Sequence, residues 1–283
     1  MRWSPDGGSV VYRSAGADDG SFDVYTYDLE VETTPRPLTF EGDNIFPVFS
    51  PDGTRVAFAS LRSGTDIYDL FVKTLDDDEP ARSIISLPVN QLPVQWPSDT
   101  LIVFKQLPSV ANPADLWMLD LSDPDNPVAE VYLTSEANLR DIMVSPDGTL
   151  AAYTSDVTGT NEVYIRSFPE PGERTPVSQG GGEYPFWSPD GNIVYYWSVP
   201  VAGSDESTFM AATVRRDPTP VVQRRDSLFT GIYVGSGWSL HPDGDRLVVP
   251  QPVLAGQEGV DSETERFIVV VNWFEELRQR MGN

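Results

Sequence analysis

Short apolar runs recur along the chain, and each is followed by a four-residue polar turn and a second apolar run. In one copy, Tyr184-Pro185-Phe186-Trp187 precedes the turn Ser188-Pro189-Asp190-Gly191, and Ile193-Val194-Tyr195-Tyr196 follows it. Proline presets φ at the first central position of such a turn, aspartate bonds its own backbone, and glycine takes a positive φ. The stretch is therefore predicted to form a β-hairpin.

The same turn recurs at nearly regular spacing through the whole chain. Its third copy, Pro97-Ser98-Asp99-Thr100, lacks the glycine, and in its sixth copy His241 replaces the serine. The turn aspartates are Asp6, Asp52, Asp99, Asp147, Asp190 and Asp243, which lie 43 to 53 residues apart. Because turn chemistry alone accounts for these six carboxylates, we interpret them as structural turn residues and not as catalytic or metal-binding groups.

Each repeat is predicted to contain four strands, and the third strand begins with an acidic residue in the first four repeats, at Asp23, Asp66, Asp115 and Glu162. A bulky apolar residue suited to packing between neighbouring sheets stands directly before each turn. These residues are Trp3, Phe49, Trp96, Val144, Trp187 and Leu240. Four-stranded sheets that repeat every 40 to 50 residues are typical of the blades of a β-propeller.

The predicted fold is all-β, a six-bladed β-propeller of four-stranded antiparallel blades in one domain, 1–283. The six repeats cover 1–42, 43–89, 90–136, 137–180, 181–231 and 232–272. The last blade is predicted to have three strands, because a helix over 272–281, capped by Asn272 with Glu275 three residues later, replaces its outer strand. The missing closing strand is expected to lie upstream of Met1. A ring closed without a shared strand leaves an open edge, which is predicted to cause self-association.

Composition narrows the choice of partners. With 19 basic and 43 acidic residues the net charge is −24, which repels phosphate backbones and anionic lipid surfaces, so we expect no nucleic-acid partner. Cysteine is absent, which excludes disulfides and thiolate metal sites. The apolar runs are far shorter than the roughly 20 residues that a membrane helix needs, so no membrane span is predicted.

No catalytic motif is complete in the sequence. The single histidine, His241, has no predicted nucleophile partner, and the segment 235–239 does not complete Gly-x-Ser-x-Gly. Gly180-Gly181-Gly182 precedes a strand and does not open a helix, so it lacks the context of a phosphate-binding loop. Protein-kinase motifs are also absent. The chain is therefore predicted to be non-catalytic, with no cofactor and no metal site.

Four polar residues at the entry to the innermost strands are the candidate ligand-binding residues. They are Asn44, Gln91, Arg140 and Glu183. If the ring forms, these side chains are predicted to point towards the mouth of the central channel, and a concave mouth is the default position for a ligand. The predicted ligand is a protein, a peptide or a small molecule.

The Ser-Pro-Asp-Gly repeat resembles that of TolB-like β-propellers over residues 2–272. Two segments, 167–187 with the sequence SFPEPGERTPVSQGGGEYPFW and 269–277 with the sequence VVVNWFEEL, are similar to the C-terminal propeller region of bacterial serine/threonine protein kinases. That resemblance implies an extracytoplasmic sensor module without its kinase domain. Two alternatives stay open: a TolB-like periplasmic assembly or interaction protein, and the propeller part of a prolyl-oligopeptidase-type serine peptidase without its hydrolase domain.

Overall fold

The structure is a computed structural model that describes residues 1–15, 20–31, 34–62, 64, 66–107, 114–134, 137–200, 203–216, 219–231, 238–251 and 266–270. These residues form six antiparallel sheets, which follow one another along the chain. In every sheet the strands are hydrogen-bonded in sequence order. No helix among the described residues is long and apolar enough to cross a membrane.

The first three sheets are blades 1 to 3, and each has four strands. Blade 1 contains β1 (Arg2–Trp3), β2 (Ser9–Ala15), β3 (Phe22–Asp28) and β4 (Arg36–Pro37). Blade 2 contains β5 (Asp43–Phe49), β6 (Arg55–Leu61), β7 (Asp69–Thr74) and β8 (Arg82–Ile85). Blade 3 contains β9 (Asn90–Ser98), β10 (Leu101–Leu107), β11 (Asp115–Asp120) and β12 (Val128–Leu133).

Blades 4 and 5 also have four strands, and blade 6 has three among the described residues. Blade 4 contains β13 (Leu139–Val144), β14 (Leu150–Ser155), β15 (Glu162–Ser167) and β16 (Thr175–Pro176). Blade 5 contains β17 (Glu183–Trp187), β18 (Ile193–Trp197), β19 (Ser207–Arg215) and β20 (Val221–Gly231). Blade 6 contains β21 (Ser239–Leu240), β22 (Leu247–Gln251) and β23 (Arg266–Val270).

The predicted propeller of six antiparallel blades is confirmed, with one strand start corrected. Strand β7 begins at Asp69 and not at Asp66. The reason is that the Tyr68 backbone is bonded to the next blade: its N–H donates to Asn90 Oδ1 at 2.9 Å, and its carbonyl accepts from Gln91 N at 2.8 Å. The predicted helix over 272–281 lies outside the described residues.

The Ser-Pro-Asp-Gly turns are closed by their own side chains. In the four turns that keep the serine, its hydroxyl donates to the aspartate Oδ1 at 2.5 to 2.7 Å. The same carboxylate accepts the backbone N–H two residues further on, at 2.9 to 3.1 Å. In the second turn, the Ser50 hydroxyl and the Thr54 N–H lower the pKa of Asp52 to about 2. These carboxylates are therefore held by turn contacts.

The bulky residue before each turn packs against the preceding blade, as the sequence predicts. All six are at most 9% exposed. Trp187 of blade 5 lies among Leu150, Val163 and Ile165 of blade 4, and its Nε1–H donates to Met143 O at 2.9 Å. In each blade, one large apolar side chain thus packs against the preceding blade.

Blade 1 closes the ring on blade 6 through side chains. Trp3 packs against Val248, and its Nε1–H donates to Ser239 O at 3.2 Å. The His241 ring lies edge-on to Trp3 at 4.7 Å, and its Nε2 is 3.2 Å from Gly7 O. The innermost strands surround an axial cavity of about 200 Å³ that is lined from all six blades. The closed ring therefore has a central channel.

Candidate functional site: the axial channel

Three innermost strands share a local distortion. Phe46, Asp141 and Tyr184 have positive φ values of 54°, 54° and 55°, and each lies four residues before the serine of its turn. The pairing register shifts around each of them, which is the signature of a β-bulge. Pro93 holds the equivalent place in blade 3, where its ring fixes a negative φ. Left-handed backbone at non-glycine residues is uncommon and is concentrated at functional sites.

The bulge in blade 4 places the Asp141 carboxylate in a group of charges. Arg2, Lys105, Arg140 and Glu183 are all within electrostatic range of it. Together with Asp141 they come from blades 1, 3, 4 and 5, and these blades converge at the ring axis. We call the five residues the axial cluster. It contains three cations and two carboxylates, although the whole chain carries a net charge of −24.

The protein displaces much of the water around Asp141, Lys105 and Arg2. Burial raises the pKa of the Asp141 carboxyl, and the Lys105 ammonium opposes that shift. Burial also lowers the pKa of Lys105 and of Arg2, and in both cases Asp141 opposes the shift. Within the described part of the chain, Asp141 Oδ2 is buried and has no hydrogen-bond partner. An acceptor of this kind is available to a ligand donor.

Aromatic rings accompany the cations. The Phe46 ring is 38% exposed, and its centre is 5.7 Å from the Lys105 ammonium and 5.9 Å from the Arg13 guanidinium. The Arg2 guanidinium is 5.4 Å from the centre of the Phe186 ring. These distances are within the range of cation–π attraction. The channel therefore offers apolar ring faces next to positive charge.

Two of the four predicted ligand-binding residues are not on the channel surface. Asn44 is fully buried, where its Nδ2 donates to Glu41 O and Gly42 O at 3.0 and 3.2 Å, and its Oδ1 accepts from Ser60 Oγ at 2.7 Å. Gln91 is also fully buried, and its Nε2 donates to loop carbonyls. The Asn44 amide and Gln91 Nε2 are occupied by the loops that lead into their strands, whereas Gln91 Oε1 is buried without a hydrogen-bond partner among the described residues. Because both side chains are fully buried, neither is exposed at the channel mouth, and ligand binding by them stays a prediction.

The other two predicted residues, Arg140 and Glu183, belong to the axial cluster. Arg140 is exposed, and Glu183 is half-buried with its Oε1 bonded to Asn161 Nδ2. Whether either residue binds a ligand stays a prediction. Sequence reasoning missed Arg2, Lys105 and Asp141. Asp141 shares its place before the turn with Phe46 and Tyr184, and this common position is the signal that could have revealed it.

A second group of possible metal ligands lies at the blade 6 turn. His241, Asp243 and Asp245 bring one ligand atom each within 4.8 Å of one another. However, His241 Nδ1 is 2.5 Å from Asp243 Oδ1, and Arg246 donates to Asp243 Oδ2 at 2.6 Å. His241 and Asp243 are therefore already engaged, Asp243 in the turn and His241 also in the contact with blade 1, so we assign these two residues to turn formation and ring closure.

Comparison with known proteins identifies the fold and no family. No family model and no curated protein matches the chain. TolB from Acinetobacter baumannii has a similar structure, with a TM-score of 0.70 and 16% identity over 95% of this chain and 62% of that chain. A protein assigned as TolB from Agrobacterium tumefaciens has a TM-score of 0.67 and 18% identity over 86% of this chain and 85% of that chain.

An enzyme structure is also similar. Prolyl oligopeptidase B from Galerina marginata has a TM-score of 0.54 and 14% identity, over 88% of this chain and 38% of that chain. This chain therefore spans less than two thirds of that enzyme and of the Acinetobacter TolB. At such identities the similarity is one of fold, and the chain has the β-propeller fold that is seen in the TolB structures.

Proposed function

We propose that this chain is a non-catalytic binding propeller that receives its ligand in the axial channel. The observation that carries the proposal is the axial cluster, in which four blades bring charged side chains together beside a carboxylate oxygen that is buried and has no hydrogen-bond partner in the described part of the chain. The side chains stand on strands of a closed ring, so they are held in place before a ligand arrives. Such preorganisation lowers the entropic cost of binding.

The role we propose for this module is that of an extracytoplasmic sensor of a bacterial receptor-type serine/threonine kinase. The support is the similarity of segments 167–187 and 269–277 to the propeller region of those kinases. In this arrangement the propeller binds a ligand and a separate domain, outside this chain, performs the phosphorylation. A full-length protein that combines kinase motifs, one membrane span and this propeller is the expected gene product, and sequencing the flanking DNA tests that expectation.

A second candidate function is that of a TolB-like periplasmic assembly or interaction protein, which the similarity to the TolB structures favours. In that case the partner is a protein that binds the rim of the ring. The propeller part of a serine peptidase is a third candidate, favoured by the similarity to prolyl oligopeptidase B. A downstream hydrolase sequence in the same gene would support this third candidate.

Self-association is a further part of the proposal. Strand β23 pairs with β22, and among the described residues no strand covers its other edge. An open edge offers unpaired backbone groups to another chain. We expect light scattering to show a dimer or larger species that grows with concentration, and a monomer at high concentration would contradict this part.

The axial site is tested by a thermal-shift screen of sugars, short peptides, small acids and calcium against the purified chain. A ligand that binds only the folded protein, present at one hundred times its Kd, adds about 2.7 kcal/mol to the free energy of unfolding. We expect Phe46→Ala to abolish the shift. The matched control is Phe40→Ala, because Phe40 is 79% exposed and is not among the residues that line the axial cavity. A ligand that stabilises both variants equally would show that the site lies elsewhere.

A further inference from the structure

The axial channel has an apolar chamber at the end nearest the turns. This is the cavity of about 200 Å³ that is lined from all six blades. Its lining includes Val48, Val94, Met143 and Phe186, and Arg2 is the one charged residue among the described residues that line it. A cavity of this size holds several water molecules or one phenyl or short alkyl group. An apolar group in the chamber would release that water from apolar walls.

Two polar side chains of the chamber lining are bonded to the protein, whereas Trp96 Nε1 is buried and has no hydrogen-bond partner among the described residues. The Gln95 amide bridges blades 3 and 4, because its Oε1 accepts from Val144 N at 2.6 Å and its Nε2 donates to Val144 O at 3.3 Å. The Trp3 indole is bonded across the seam between blades 1 and 6. What a ligand meets in the chamber is therefore mainly apolar surface, with the Arg2 guanidinium as a charged group of the lining.

Arg2 connects the chamber to the axial cluster and has donors to spare. Among the described residues it makes two long hydrogen bonds, of 3.4 and 3.5 Å, both from Nη1, to the carbonyls of Met1 and Trp238. A guanidinium carries five N–H donors, which match a carboxylate in a bidentate geometry. Its half-buried position makes an anionic partner favourable, because that partner offsets the loss of hydration.

Lys105, like Arg2, has N–H donors without acceptors among the described residues. The chain has two lysines, Lys73 and Lys105. Lys73 Nζ donates to Asp77 O at 2.6 Å and to its carboxylate at 2.9 Å. Within the described residues no hydrogen-bond acceptor meets Lys105 Nζ, whose recorded contact is with the Phe46 ring. In a chain with 43 acidic residues, a half-buried ammonium without such a partner marks a place for an anion from outside.

The charges of the axial cluster favour a ligand with a single negative charge. Three cations and two carboxylates leave one positive charge, which one further carboxylate neutralises, whereas a doubly charged phosphate would make the site negative. We infer that the ligand of the proposed axial site is an amphipathic monocarboxylate, with its carboxylate among Arg2, Lys105 and Arg140 and its apolar group in the chamber. This inference rests on the proposed binding function and specifies the class of ligand.

The test is isothermal titration calorimetry with four probes: 3-phenylpropanoate, its neutral amide, 3-phenylpropylamine and acetate. We expect the wild-type chain to bind 3-phenylpropanoate at least tenfold more tightly than the amide or acetate, because the amide lacks the charge and acetate lacks the apolar group. Lys105→Met should weaken binding of 3-phenylpropanoate ten- to hundredfold, the usual effect of losing a charge-assisted hydrogen bond. Lys105→Arg keeps the charge and should retain most of the affinity.

The matched control is Lys73→Met, which removes the other lysine and should leave the affinity unchanged. Circular dichroism and a denaturation curve establish that each variant is folded. If the amide or the amine binds as tightly as 3-phenylpropanoate and Phe46→Ala abolishes this binding, the inference that the ligand carries a carboxylate is wrong, whereas the axial site itself is supported. Failure of all four probes to bind the folded wild-type chain would overturn the inference, and the wider thermal-shift screen would then decide the proposed function separately. Equal weakening by Lys73→Met and Lys105→Met would also overturn it.

Discussion

The contact that closes the ring can be tested with one methyl group. Gly7 stands in the first turn with φ of +75°, and a Cβ placed on it would lie 2.0 Å from His241 Nε2. Gly148 holds the same position in the fourth turn with φ of +71°, and nothing lies within 4 Å of its added Cβ. The substitutions Gly7→Ala and Gly148→Ala therefore impose the same backbone strain but differ in the contact between blades 1 and 6.

The expected magnitudes follow from these contacts. Alanine in the left-handed region costs roughly 1 to 2 kcal/mol at either position. Displacement of His241 adds the loss of its hydrogen bond to Gly7 O, about 1 kcal/mol, and of its edge contact with Trp3, about 1 kcal/mol. We therefore expect Gly148→Ala to lower the free energy of unfolding by about 1 to 2 kcal/mol and Gly7→Ala by about 3 to 4 kcal/mol.

The assay is urea denaturation, followed by tryptophan fluorescence and by circular dichroism so that a two-state transition can be verified. The double variant Gly7→Ala/His241→Ser provides the control, since serine stands at that position in four other turns. Relative to His241→Ser, adding Gly7→Ala should cost no more than Gly148→Ala does in the wild type. Equal losses for Gly7→Ala and Gly148→Ala, or no recovery in the double variant, would refute this account of ring closure.

Three further predictions concern single side chains. Because burial raises the pKa of Asp141, the folded chain binds the proton of this carboxyl more tightly than the unfolded chain does. The ionised carboxylate therefore destabilises the fold at pH 7, and Asp141→Asn should have a larger free energy of unfolding than the wild type there. This gain should shrink when denaturation is repeated at lower pH, down to about pH 4, because the wild-type carboxyl becomes protonated. A gain that is independent of pH would contradict this. Trp187→Phe loses an indole hydrogen bond of 2.9 Å to the preceding blade, whereas Trp96 Nε1 has no partner among the described residues. In matched denaturation curves Trp187→Phe should therefore lower the free energy of unfolding by about 1 kcal/mol more than Trp96→Phe does, and equal losses would refute the role of this bond. Burial and the hydrogen bond to Asp43 raise the pKa of Tyr68 to about 12. The difference between ultraviolet titrations of the wild type and of Tyr68→Phe should therefore show a phenol that ionises near pH 12. Ionisation near pH 10 would exclude a buried, hydrogen-bonded Tyr68.

The fold was predictable because its information is local. A turn with four residues of fixed function and one large side chain before it recur in each repeat, so blade number and blade packing follow from spacing alone. The start of β7 did not follow, since the Tyr68 backbone is bonded to Asn90 of the next blade. Local alternation of residues does not report such a contact.

The site was less predictable, because its residues meet only when the ring closes. Arg140 and Glu183 were found from their places at strand entries, and they lie in the axial cluster. Asn44 was chosen by the same rule, but its amide is consumed by the loop carbonyls before its strand. Arg2 and Lys105 are about one hundred residues apart in sequence and occupy different strand positions, so no spacing rule connects them.

The side-chain seam between blades 1 and 6 has a thermodynamic consequence for any occupant of the channel. Strand β1 places Arg2, which lines the chamber, next to Trp3, which fastens the seam. A ligand that binds Arg2 also restrains the neighbouring Trp3. Ligand binding and local opening of the contact between blades 1 and 6 are therefore coupled, and each disfavours the other by the same free energy. Amide hydrogen exchange in β1 should slow when a ligand fills the channel. The stability of the contact between blades 1 and 6 would then depend on whether the channel is occupied.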